Sequence, residues 1–183
     1  MKKNDEYFDV LDEQGNKTGK IKLRNLVHKD GNWHRTIHVW IYNNKGELLL
    51  QRRCANKDSN PNMLDVSCGG HLSAGDDSLT AAVRELKEEL DLDVNANELN
   101  FIKTFKNSSK YTETFINNEI LDMYILRTDK DINDMKYQEE EISEIFFVPF
   151  QKFKEMVENK QPDLVIYDEE YEVLFRMFDR EEL

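Results

Sequence analysis

A glycine pair, Gly69-Gly70, leads into a stretch ending at Leu92 in which apolar residues recur at helical spacing while Glu85, Glu88 and Glu89 stand at i, i+3 and i+4. At about 100° per residue from Arg84, Glu88 falls near 40°, Glu85 near 100° and Glu89 near 140°. Leu79, Ala82, Val83, Leu86 and Leu90 occupy the sector between about 160° and 260°. The segment must therefore be a helix that buries one stripe and holds three carboxylates beside it. Ala81, near 60° on the same wheel, is small enough to leave room among the acids. Like charges at i and i+4 destabilise an isolated helix by roughly 0.2 to 0.5 kcal/mol per pair, so something must offset them. Arg84 can pair with one carboxylate, and a hard divalent cation such as Mg²⁺ takes oxygen ligands while leaving positions for substrate phosphates. Gly69 and Gly70 let the backbone turn sharply and aim a carbonyl or N–H at the same spot. The ordinary reading of such a helix, a solvated acidic face, stays open on the triplet alone.

Residues 70–92 as a whole resemble the Nudix box: Gly70, an acid at Asp76, Arg84, Glu85, Leu86, Glu88, Glu89 and Leu92. Two positions depart from the pattern. Asp76 stands for a glutamate, which keeps the charge, and Asp91 stands for the glycine after the helix, where aspartate enters the left-handed conformation less readily. The resemblance implies an α/β class, an α/β/α sandwich with a mixed sheet, and a metal-dependent hydrolase of diphosphate compounds. It also implies roles. Glu88 and Glu89 bind Mg²⁺ or Mn²⁺, the Gly69 carbonyl is a third contact, Glu85 completes the site or acts as base, and Arg84 orients Glu85 or Glu88.

The remaining sequence fits one domain of that kind over residues 1–183: an N-terminal hairpin extension (1–30), a core (31–160) and a terminal helix (161–183). Strands are expected at 7–11, 18–23, 35–43, 47–53, 99–106, 119–127 and 142–148, and helices at 149–159 and 168–180. Residues 107–118 read as a polar loop or a twisted ribbon. With 34% charged residues and a net charge of −12, the chain has no general affinity for nucleic acid or anionic membranes. It shows no run of 18 apolar residues and no apolar N-terminal leader, so a cytoplasmic location is expected. Two cysteines are too few for a disulfide framework. The exposed edge of the N-terminal hairpin, or the terminal helix, makes a homodimer an expectation.

Three of the four histidines, His28, His34 and His71, together with LLLQRR, SCGGHL and FINNEILDMYILRT, resemble the isopentenyl diphosphate isomerases, which are Nudix relatives. That likeness implies a second divalent metal bound by His28, His34, His71 and Glu119, with Glu119 also catalytic and Asn117 in place of a second acidic ligand. Imidazole with carboxylate favours Mn²⁺ or Zn²⁺. Taken singly, His28 and His34 read as surface-loop residues and His71 as a cap of the helix-entry turn. The isomerase places a catalytic cysteine directly before its Gly-His pair. Here Gly69 holds that place, and Cys68, one residue earlier in a strand, turns to the opposite face as a buried small hydrophobe.

The intact box helix favours hydrolysis of a nucleoside diphosphate derivative or another organic diphosphate. Isomerase activity is the main alternative, and a non-catalytic diphosphate-binding module the other. Three further expectations concern single positions. Trp40 belongs to the core, Trp33 in a loop beside His34 is a substrate contact, and Glu139-Glu140-Glu141 is a solvated loop that could instead supply a base.

Overall fold

The computed structural model describes residues 6–180. β1 (Tyr7–Leu11) and β2 (Lys17–Leu23) form an antiparallel hairpin, followed by a short helix α1 (Arg24–Asp30). The central strand β3 (Trp33–Tyr42) pairs antiparallel with β1, β4 (Glu47–Arg53) and β6 (Cys68–His71), and parallel with β8 (Phe115–Arg127). β4 also carries the two-residue β5 (Leu64–Asp65) and β9 (Ile142–Pro149), and β7 (Asn100–Thr112) pairs with β8. The helices are the box helix α2 (Ser78–Leu90), α3 (Phe150–Glu158) and α4 (Asp168–Asp179).

Period-2 alternation along β3 explains the layering. Ile37, Val39 and Ile41 point to a core shared with Ala82, Leu86 and Leu90 of α2, whereas Trp40 points to a second core shared with Phe153 of α3 and Tyr171 and Leu174 of α4. The mixed sheet is thus covered by helices on both faces, the α/β/α arrangement expected. Burying one fully enclosed aliphatic side chain is worth about 1.5–3 kcal/mol, and Ile37, Ile41, Leu86 and Leu90 are all fully enclosed. Ala81 joins the first core too, with no exposed surface.

Both ends of α2 are capped by aspartates. Asp77 accepts the Thr80 N–H at 2.9 Å as N-cap. Asp91 takes the left-handed conformation (φ 49°) that glycine would normally supply, and Lys87 Nζ holds its carboxylate at 2.7 Å. The departure at Asp91 therefore leaves the helix end intact.

Two segments read only coarsely from the sequence take definite form. Residues 24–30, assigned to the hairpin extension, form a helix that lacks a side-chain cap and stops at Gly31, whose φ is 62°. A seven-residue helix without a cap signal is invisible to periodicity. Residues 107–118 are the tip of a continuous ribbon, since β7 and β8 pair from Asn100↔Ile125 out to Thr112↔Phe115.

Candidate active site

One cleft of about 970 Å³ collects Gly69, Gly70, His71, Glu85, Glu88, Glu89 and Glu119, with Gln51, Arg53, Lys57 and Glu141 around them. The box helix enters it where β6 has no side chain. A Cβ built on Gly70 would lie within 2.5 Å of Glu85 Oε1 and closer still to its Cγ and Cδ. Glycine is required there because the Glu85 carboxyl occupies the space. Arg84 donates to Glu85 Oε1 at 2.9 Å, to Glu88 Oε2 at 3.3 Å and to the His71 carbonyl at 3.0 Å, with Asp76 3.8 Å away. It orients both carboxylates rather than one.

Glu88 stays open, its side chain 54% exposed, while Glu89 is 5% exposed. Gln51 Nε2 approaches Glu89 at 3.5 Å, and the Gly69 N–H and the Cys68 thiol also face it. Burial, then the neighbouring Glu89, raises the Glu85 pKa to about 8 against the pull of Arg84. Burial, then Glu141, raises Glu89 too, although Lys57 opposes. Without a cation these two buried acids disfavour full ionisation, the environment a divalent metal would reverse.

The second constellation is assembled from four elements. His28 on α1, His34 on β3 and His71 on β6 bring ring nitrogens within 4.8 Å of one another. Glu119 Oε1 on β8 lies 3.9 Å from His34 Nε2 and 4.0 Å from His71 Nε2. Register explains the meeting: Glu119 pairs with His34, and His71 with Thr36, two residues along the same face. Phe8 stacks on His71 (4.9 Å) and His34 (5.5 Å), walling the cluster. Nε2 of His34 and His71, both ring nitrogens of His28 and Asn117 Oδ1 are buried without a hydrogen-bond partner.

Orphaned buried polar atoms are costly unless something ligates them. His34 Nδ1 donates to the Asn32 carbonyl at 3.1 Å, which leaves the Nε2 lone pair facing the cluster. Burial holds His28 at a pKa of about 3 and His34 at about 4, and drives His71 well below the usual range. The rings are therefore neutral donors at physiological pH. These residues fit a divalent metal with imidazole, carboxylate and amide-oxygen ligands.

Other expectations sort individually. Trp40 is fully buried, as expected. Cys68 is buried on the α2 side, and burial followed by the charge of Glu89 pushes its thiol well up. Trp33 does not line the cleft, because β3 begins there and its side chain shares the face of Arg35 and Ile37, opposite His34; Lys106 covers its ring at 4.4 Å. Of the acidic loop, Glu139 and Glu140 are exposed, but Glu141 is buried and ion-paired with Lys57.

Sequence reasoning passed over His38 and Glu170. His38 Nδ1 lies 3.0 Å from both Glu170 oxygens, and Trp40 Nε1 donates to Glu170 Oε2 at 3.1 Å. Burial disfavours the imidazolium of His38, yet the adjoining Glu170 outweighs it and raises the pKa. The alternation in RTIHVWIYN places position 38 on the His34 face, the one available signal.

Comparison with known proteins gives a consistent answer. The NUDIX domain family model matches residues 32–169. Nudix hydrolase 3 of Arabidopsis thaliana is 40% identical over 168 residues, 90% of this chain but only 22% of that longer protein. An uncharacterised Nudix hydrolase of Clostridium acetobutylicum is 34% identical over 85% of this chain and 76% of its own length. Isopentenyl-diphosphate Delta-isomerase 2 of Photorhabdus laumondii is 30% identical over 87% of this chain and 86% of its own. Among solved structures, the DR0079 protein of Deinococcus radiodurans superposes with a TM-score of 0.71 at 23% identity, covering 92% of this chain and 97% of that one. With its box residues gathered in one cleft and the family model spanning three quarters of its length, this chain belongs to the Nudix hydrolase family.

Proposed function

We propose that the protein hydrolyses a nucleoside diphosphate derivative or another small organic diphosphate, using Mg²⁺ or Mn²⁺ held by Glu85, Glu88 and Glu89 with the Gly69 carbonyl. The observation that carries this reading is the fixed carboxylate set: Arg84 bridges Glu85 and Glu88, and Gly70 leaves the space that the Glu85 carboxyl fills. A bound divalent cation neutralises diphosphate oxygens and acidifies a water molecule. Glu88, open to the cleft, and Glu89, enclosed beside Gln51, bracket the position for that cation. Glu85 completes the set or accepts the proton of the attacking water. Lys57 and Arg53, on the cleft wall, offset the charge of the substrate.

A second divalent ion, Mn²⁺ or Zn²⁺, fits His28, His34, His71 and Glu119, and the orphaned Asn117 Oδ1 supplies a neutral fifth donor. That cluster favours one alternative activity, isopentenyl diphosphate isomerisation. Against it stands Gly69, which has no thiol, with Cys68 turned to α2. Among the described residues no helix is long and apolar enough to cross a membrane, and a cytoplasmic protein acting on a freely diffusing substrate is the reading we adopt. The β1–β2 edge, where Tyr7 and Ile21 are exposed, supports the homodimer expectation.

The test is a panel of organic diphosphates with Mg²⁺ or Mn²⁺. Release of phosphate or a nucleoside monophosphate, lost in Glu89→Gln, is the expected result. Conversion of isopentenyl to dimethylallyl diphosphate without phosphate release would replace hydrolase by isomerase, and binding without turnover in either assay would leave a binding module.

A further inference from the structure

Thr36 lies in the first half of β3, where the strand is paired on both sides: it is in register with His71 of β6 and with Leu121 of β8. The main-chain groups around it are committed to those two ladders. Its side chain falls on the face shared by His34 and His38, and the next position of β6 on that face, in register with His38, is Gly69, which has no side chain. Thr36 is 4% exposed and lines the cleft, as His71, Gly69 and His38 do. Among the described residues its buried Oγ1 has no hydrogen-bond partner. An unpaired buried hydroxyl is costly, and valine would offer the same branched shape to the strand without a polar atom to satisfy. The donors on the cleft wall differ in being engaged. Arg53 donates to Asp65 at 2.8 Å and to the Ser59 carbonyl at 2.9 Å, and Lys57 is paired with Glu141.

We propose that Thr36 is a substrate-contacting residue whose hydroxyl donates to an oxygen of the bound diphosphate at the floor of the cleft. This rests on the diphosphate reading above. A phosphoryl oxygen is a charged acceptor, and a hydrogen bond to a charged acceptor is the stronger kind. The threonine O–H does not ionise, so the contact is available at any pH at which the protein folds. It also decides which end of the substrate meets the floor. An alkyl group laid over Thr36 would leave the hydroxyl unpaired, and a site built around a hydrogen bond rejects a partner that lacks one. The phosphoryl end therefore lies against β3, and the organic group points to the mouth, where Tyr111 and Ile166 line the cleft yet stay exposed.

Methylene diphosphonate, a non-hydrolysable diphosphate, is the probe, titrated in the presence of Mg²⁺ by calorimetry. Thr36→Val, which keeps the shape and removes the donor, is expected to weaken its binding by on the order of tenfold or more, and KM for the hydrolysed diphosphate rises with it while kcat changes less. Thr36→Ser, which keeps the hydroxyl, retains most of the affinity. The rise in Tm on adding Mn²⁺ or Zn²⁺ is the same in Thr36→Val as in wild type; if it disappears, the hydroxyl belongs to the histidine cluster and the proposal falls. Should Thr36→Val fail to fold, methyl spectra of the wild-type protein decide, because the Thr36 methyl resonance must shift as diphosphonate fills the cleft. A folded Thr36→Val that binds like wild type, or a Thr36 resonance that stays put at saturation, overturns the proposal and leaves the hydrolase reading standing. Wild-type protein that neither binds diphosphonate nor turns over any diphosphate overturns both together.

Discussion

Replacing Gly70 by alanine should separate the chemistry of the box helix from its packing. The added methyl carbon would lie within 2.5 Å of Glu85 Oε1 and closer to Cγ and Cδ, where carbon atoms ordinarily approach to about 3.5–4.0 Å. The atoms in the way belong to the end of a flexible side chain, so Glu85 moves rather than the backbone. Its carboxyl must shift by an ångström or more, which breaks the 2.9 Å bond from Arg84. A misplacement of about 1 Å in catalytic geometry costs about 10²-fold, so kcat for diphosphate hydrolysis should fall by roughly that factor. Overpacking costs about 1–3 kcal/mol, equivalent to about 2–12 °C in Tm for a domain of this size. The check is kcat with saturating Mg²⁺ alongside a thermal melt. Adding Glu85→Ala removes the clash, so the melt of the double variant recovers while turnover stays lost. A Gly70→Ala protein that turns over at the wild-type rate would refute the claim that Glu85 is fixed by the absence of a side chain at residue 70.

Four further outcomes are expected. Glu89→Gln should lower kcat by at least about 10², the scale of losing one preorganised electrostatic group, read in the same assay. Adding Mn²⁺ or Zn²⁺ to chelated protein should raise Tm, since a ligand at 100-fold above its Kd contributes about 2.7 kcal/mol; His34→Gln should abolish the part due to the histidine cluster, and an unchanged rise would remove that cluster as a site. In the chelated protein, His28 and His34 titrate at about 3 and about 4, but near 6.5 once unfolded. The unfolded chain then binds more protons, so their stabilisation is present above about pH 6.5 and is lost as pH falls, by up to roughly 1.4 kcal/mol per pH unit for each histidine; urea midpoints between about pH 7 and about pH 5 measure it. Cys68→Ala removes a thiol that faces the Glu89 carboxylate but no proposed cation ligand, so kcat should fall by less than in Glu89→Gln, and a loss as large with an unchanged melt would show that the thiol itself takes part in the chemistry.

The box helix was legible because its information is local. The stripe of Leu79, Ala82, Val83, Leu86 and Leu90, and the reach of Arg84 to Glu85 and Glu88, follow from helical spacing alone. The histidine cluster was not legible in that way. His28, His34 and His71 meet only because β6 pairs with β3 and α1 packs against β8 and the β1–β2 hairpin beside them, and only a family resemblance could bring them together on paper. Trp33 was misread because the strand starts two residues earlier than its alternation suggested, which turns the indole to the opposite face. Glu170 gave no local signal at all. An acid in the first turn of a helix is a routine complement to the dipole, and its partner is 132 residues away.

That separation bears on the order in which the protein becomes competent during synthesis. The box helix and the strands β3 and β6 against which it lies are complete once residue 92 has been made, but His38 and Trp40 wait for Glu170. At about 5–20 residues per second, the interval is roughly 4–16 s. Throughout it the nascent chain carries the carboxylates of the box beside an imidazole with no carboxylate behind it. Arrival of the final helix is then the event that converts a folded sheet into a finished cleft.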